Sequence, residues 1–175
     1  MKLTYLWHGS PGHPVHPPLT DATIGIYTFA AIAALLDVTG ASEHAAANGW
    51  WLALVVGLAV SSVTAVTGLI DWAQISRGTP LWRTATAHMV SMLAATAVFG
   101  LTALLGHDDF QKGDVTAGSF ILTAIAFGLL TLGGWLGGSV VYVHGMRVLD
   151  LVDQPSRHAV SPRPTAEEAG AEQVT

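Results

Sequence analysis

Residues 50–70 read WWLALVVGLAVSSVTAVTGLI, an unbroken run without an ionisable side chain, and Asp71 and Trp72 follow at once. About 20 mostly apolar residues in a helix cross a hydrocarbon core of roughly 30 Å. The run therefore reads as a transmembrane helix. Working outward, three further stretches of the same kind stand at about 20–38, 84–105 and 117–143, with nearly all ionisable residues outside them or at their ends. Of the 175 residues 51% are apolar and 11% charged, against about 25% charged in a typical soluble domain. The expected fold is all-α, a polytopic four-helix membrane bundle over residues 19–149.

Two short segments flank that bundle. Residues 1–18 carry the motif His13-Pro14-Val15-His16-Pro17 and lack the basic-then-apolar plan of a cleaved signal peptide, so the first span is expected to serve as its own insertion signal. Residues 150–175, rich in Pro, Ala, Glu and Ser, have little to bury and read as a disordered tail. No cysteine is present, which excludes disulfides, thiolate iron–sulfur clusters, covalent c-type haem and a cysteine nucleophile within the chain. The acids behind the net charge of -5 are scattered, and nothing marks a nucleotide loop, a Ser-His-Asp set or nucleic-acid binding. A non-enzymatic role is the expectation.

Four spans put both termini on one side of the bilayer. That side collects Lys2, Arg77, Arg83, Arg147, Arg157 and Arg163, whereas the other holds only Lys112 among Glu43, Asp108, Asp109 and Asp114. Cytoplasmic loops carry the excess of Lys and Arg, so both termini are expected in the cytoplasm, in a bacterial inner membrane. Trp50, Trp51, Trp72 and Trp82, near helix ends, suit interfacial anchoring of indole rings. Small residues recur at four-residue spacing: Ala53, Gly57, Ser61 and Ala65; Ala87, Ser91 and Ala95; and the paired glycines of 133–138. Such stripes let helices approach closely, within one bundle or between copies of the chain through the glycine faces.

The polar residues gather at the cytoplasmic end. His13, His16 and Asp21 open the first span, Asp71 closes the second, Arg83 and His88 open the third, and His144 and Arg147 close the fourth. Ionisable groups at membrane depth are costly and face the bundle interior or water, which makes them functional candidates. At about 100° per residue, His144 falls on the face of Gly133 and Gly137, and Asp71 on that of Thr64, Thr67 and Gly68. Proline alone also explains a rigid start to the first helix, and a single buried histidine is as well explained by an interhelical hydrogen bond. His107, Asp108, Asp109 and Asp114 read as a solvated turn, since their spacing is not that of a calcium loop.

The set Gly12-His13-Pro14-Val15-His16-Pro17, Leu36-Asp37, Thr67 to Trp72, His88, and Leu136 to Tyr142 with His144-Gly145 resembles a bacterial four-helix membrane family of unknown function. The resemblance covers about residues 7–149. Members occur alone or fused to Rieske iron–sulfur domains, which implies a redox neighbourhood. This chain departs from the family at Met92, where an asparagine is frequent.

Histidines on different helices of a bundle hold a non-covalent haem, and imidazole also suits a transition metal. The leading expectation is therefore a haem b or metal site. His88 and His144 are its ligands, His13 or His16 the alternatives, and Asp71 orients one ring. Arg83 and Arg147 then neutralise Asp71 and Asp21, hold haem propionates or meet lipid phosphates. Such a site relays electrons between quinone or quinol and a redox partner protein. Two other classes remain: an accessory subunit whose polar cluster is a hydrogen-bond network, and a small proton or metal carrier, which lacks ionisable residues in mid-span.

Overall fold

The computed structural model describes residues 8, 9, 12–42 and 44–149. The expectations for the tail and for most of the first dozen residues lie outside them. Four helices have the length and apolarity to cross a membrane. They are α1 (His16–Val38), α2 (Ala45–Trp72), α3 (Pro80–Leu105) and α5 (Ala117–Gly138), with a short α4 (His107–Lys112) between the last two. The described residues contain no strand, so the all-α membrane bundle holds. Each span starts a few residues before its apolar run or at it. Pro17 and Pro18 sit in the first turn of α1, where a missing N–H costs nothing. Thr79 and Thr116 cap α3 and α5 through Trp82 N and Ser119 N at 3.1 and 3.3 Å.

The bundle is two hairpins laid together. α1 packs along α2 and α3 along α5, with thinner contacts between the pairs. Small residues set the closeness within each. A Cβ on Gly57 would lie 2.5 Å from Tyr27 Cε1, so glycine alone admits that ring, which stacks on Phe99 at 3.9 Å between centroids and shares a 3.2 Å hydrogen bond with Ser61. Gly133 likewise makes room for Met92, with a would-be Cβ 2.5 Å from its sulfur. Ser61, Ser91 and Ala95 of the small stripes are buried as packing requires, whereas Ala65 and Ala87 are exposed.

The tryptophans correct one expectation. Trp50 is fully buried and donates Nε1–H to Thr123 Oγ1 at 3.0 Å. It is a core residue, because α2 begins five residues earlier than its apolar run and carries Trp50 inside the bundle. Trp51 stacks on Phe110 at 4.5 Å. Trp72 lies 6.1 Å from Trp82 and donates to Thr86 at 2.9 Å.

At the far end, Asp37 has a definite partner. Its Oδ2 accepts from Val115 N at 2.7 Å, tying the end of α1 to the segment before α5. Residues 107–112 of the 107–114 segment form α4, and Asp109 accepts from the hydroxyls of Thr116 and Ser119, both at 2.8 Å, so this carboxylate holds the start of α5.

Candidate functional site

A cavity of about 530 Å³ lies between the hairpins at the end where α1 and α3 begin. Its polar lining includes His16 from α1, Thr64 and Asp71 from α2, His88 from α3 and Arg147 from the segment that follows α5, while α5 itself contributes Gly134, Gly137 and Gly138. The volume falls within the roughly 300–1,000 Å³ of cofactor and ligand pockets, and the mostly apolar wall with few polar groups is their usual make-up.

The two imidazoles that line the cavity face each other from different hairpins. His16 on α1 and His88 on α3 have ring centroids 6.4 Å apart and planes crossed at 77°. Each ring is held from behind by a main-chain carbonyl. His16 Nδ1 lies 3.1 Å from Thr64 O, and His88 Nδ1 lies 2.7 Å from Gly133 O. A carbonyl can only accept, so both Nδ1 atoms carry a proton, and in a neutral ring so held it is Nε2 that has the lone pair. His16 Nε2 has a 3.5 Å contact with the Thr20 hydroxyl, which donates to the His16 carbonyl at 3.1 Å. Among the described residues nothing bonds His88 Nε2.

Glycines seat both rings. A Cβ on Gly68 would lie 2.6 Å from His16 Cε1, and one on Gly137 would lie 2.9 Å from His88 Cε1. The motif glycines of α2 and α5 therefore do more than join helices: they leave room for the imidazoles. Thr67 adds a 3.3 Å contact to His16 Nδ1.

A second group closes the cavity at its outer rim. Arg147 and Asp71 form an ion pair, and His8 Nδ1 reaches the same carboxylate oxygen at 3.3 Å. Gln74 and Arg147 both contact His8 Nδ1 at 3.2 Å. Arg147 arrives there because the last turn of α5 widens into a π-turn over Ser139–Val143. The chain then reverses through Gly145 and Arg147 at φ of 67° and 63°. A non-glycine residue in that left-handed region is uncommon and needs a compensating contact, which the ion pair provides.

The other sequence candidates stand elsewhere. His144 does not line the cavity; its Nε2 shares a 3.0 Å hydrogen bond with the Thr84 hydroxyl. His13 and Arg83 are exposed, and Asp21 is exposed at the cavity wall. Asp71 serves Arg147 and His8 directly. His8 belongs to no motif, and nothing in the sequence signalled it. Among the described residues no group of three or more His, Asp or Glu side chains could hold a metal ion.

Four membrane-length helices around a polar, histidine-lined cavity define a multi-pass membrane protein. The family model described as "Predicted membrane protein (DUF2231)" matches residues 12–150, and the chain belongs to that family. No curated protein and no solved structure matches it.

Proposed function

We propose that this protein binds haem b between His16 and His88 and passes electrons across the end of the bundle where α1 begins and α5 ends. One observation carries the reading: two imidazoles 6.4 Å apart, each with Nδ1 on a backbone carbonyl and Nε2 directed to no strong partner. With metal–nitrogen bonds of about 2 Å, two imidazoles on opposite sides of one metal stand roughly 6 Å apart between centroids. Metal-bound histidine generally gives its other N–H to a carbonyl or carboxylate, which fixes the tautomer and raises ligand basicity. Haem needs no more than two ligands from the protein, whereas a closed site for a bare ion needs four. The donor set present favours haem over a bare transition metal, and His16 over His144 as the partner of His88. The excess of Lys and Arg at the cavity end supports a cytoplasmic placement of that end in a bacterial inner membrane.

The test is a spectrum. Protein expressed with adequate haem supply and purified in mild detergent is expected to show a Soret band and to sharpen its visible bands on reduction with dithionite. Absence of both, with no metal by elemental analysis, would refute the reading. That outcome favours the accessory-subunit alternative, for which one observation speaks: His8, His16, His88 and His144 each have a protein hydrogen-bond partner. Alanine at His16 or His88 would then lower thermal stability with no spectral change.

A further inference from the structure

A ligand could reach the histidine cavity from its rim or from either flank, and what stands in the way differs on each side. At the rim stands the Asp71–Arg147 pair, with His8 on the same carboxylate oxygen. Both charged side chains also line a second cavity, of about 540 Å³, on the outer side, so they partition the two. A ligand arriving that way must part an ion pair whose carboxylate is buried, which is costly because it leaves a charge uncompensated. On the flank between α2 and α3 the cavity is walled by large side chains, Leu69, Trp72, Met89 and Leu93. Trp72 is pinned there by its 2.9 Å hydrogen bond to Thr86.

The flank between α1 and α5 is different. There α5 brings only Gly134, Gly137 and Gly138 to the cavity. The space before Gly137 is taken by the His88 ring, but before the other two it is nearly empty among the described residues. A Cβ on Gly134 would meet only the tip of Ile24, at 3.5 Å, and one on Gly138 only Tyr142 beyond its own turn, at 3.9 Å. Asp21 and Tyr142 are exposed and still line the cavity, so it reaches the outer face of the bundle beside them. Both helices are of membrane length, which turns that face to the bilayer. Glycines commonly let two helices close on each other; α1 and α5 are instead thinly packed, and the missing side chains leave an opening.

We propose that the cavity takes its ligand sideways, from the bilayer, through the opening between α1 and α5 that Gly134 and Gly138 keep clear. The passenger is a largely apolar molecule dissolved in lipid, as the mostly apolar wall of the cavity requires. That it is haem rests on the reading above; the route does not.

The chain has no cysteine, so Ser61→Cys, a near-isosteric change at a buried position on the cavity wall, supplies a lone thiol. In the full-length protein reconstituted in liposomes, an apolar maleimide dissolved in the lipid is expected to label it at least tenfold faster than a sulfonated maleimide in the water. Adding Gly138→Leu or Gly134→Leu, either of which fills the opening and favours the helix, is expected to slow the apolar reagent tenfold or more. Ala65→Leu, on the cavity wall of α2, is expected to leave the rate unchanged. Equal labelling by the two reagents, no labelling by the apolar one, or slowing by Ala65→Leu as great as by the glycine variants would overturn the proposal. A second measurement needs no thiol: uptake of haem from haem-loaded liposomes, followed by the Soret band, is expected to slow tenfold in Gly138→Leu, and an unchanged rate would also overturn it. A Soret band that never develops in the unsubstituted protein refutes the haem reading alone, and the labelling rates then decide the route.

Discussion

His88→Ala protein, produced with adequate haem and purified in mild detergent, is expected to lose its Soret band, and His16→Ala to lose the symmetric six-coordinate spectrum or the band altogether. His144→Ala is expected to keep the wild-type spectrum. The contrast follows from the geometry: His16 and His88 line one cavity with crossed rings 6.4 Å apart, while His144 is engaged outside it with Thr84. Removing an axial ligand removes the bond itself, whereas groups that only orient a ligand typically cost about 10–100-fold in affinity. A spectrum lost in His144→Ala and retained in His16→Ala would instead restore the pair expected from the sequence.

Trp50→Ala is expected to be the most destabilising single change in the far half of the bundle, by about 3–5 kcal/mol, the usual cost of emptying a buried aromatic site. Trp50 is fully enclosed and joins α2 to α5 through Thr123. Lipid offers no hydrophobic drive between helices, so the loss is one of packing contacts and of an interhelical hydrogen bond. Trp50→Phe keeps most of the packing and forfeits the hydrogen bond, for an expected loss of about 1 kcal/mol. Thermal unfolding in detergent measures both. A Trp50→Ala midpoint equal to wild type would place the ring at the lipid interface, as its position at the head of the apolar run first suggested.

Hydropathy made the four spans legible, because a bilayer demands long apolar segments whatever else a chain does. It also located the end at which polar side chains meet, since alternating helix direction follows from counting. Which histidines converge was harder to read. The angle that put His144 on the face of Gly137 assumed about 100° per residue throughout. The backbone instead widens into a π-turn at Ser139–Val143, each residue advances by less, and the ring ends up on Thr84. His16 was only an alternative, because its proline neighbours explained the segment by themselves. The glycines of α2 and α5 read as packing stripes, and their role behind the imidazoles emerges only once the rings are placed. Asp37 could not be interpreted from sequence because its partner, Val115, is 78 residues away. The Asp71–Arg147–His8 group has the same origin: long-range, at a chain reversal, with one member in no motif.

Electron paramagnetic resonance of the oxidised protein tests the central claim most directly. Two imidazoles on one ferric haem, with planes crossed at 77° as His16 and His88 stand, predict a low-spin signal of the strongly anisotropic kind that crossed axial rings produce. A high-spin ferric signal, or haem bound with a spectrum indifferent to substitution at either histidine, would contradict it.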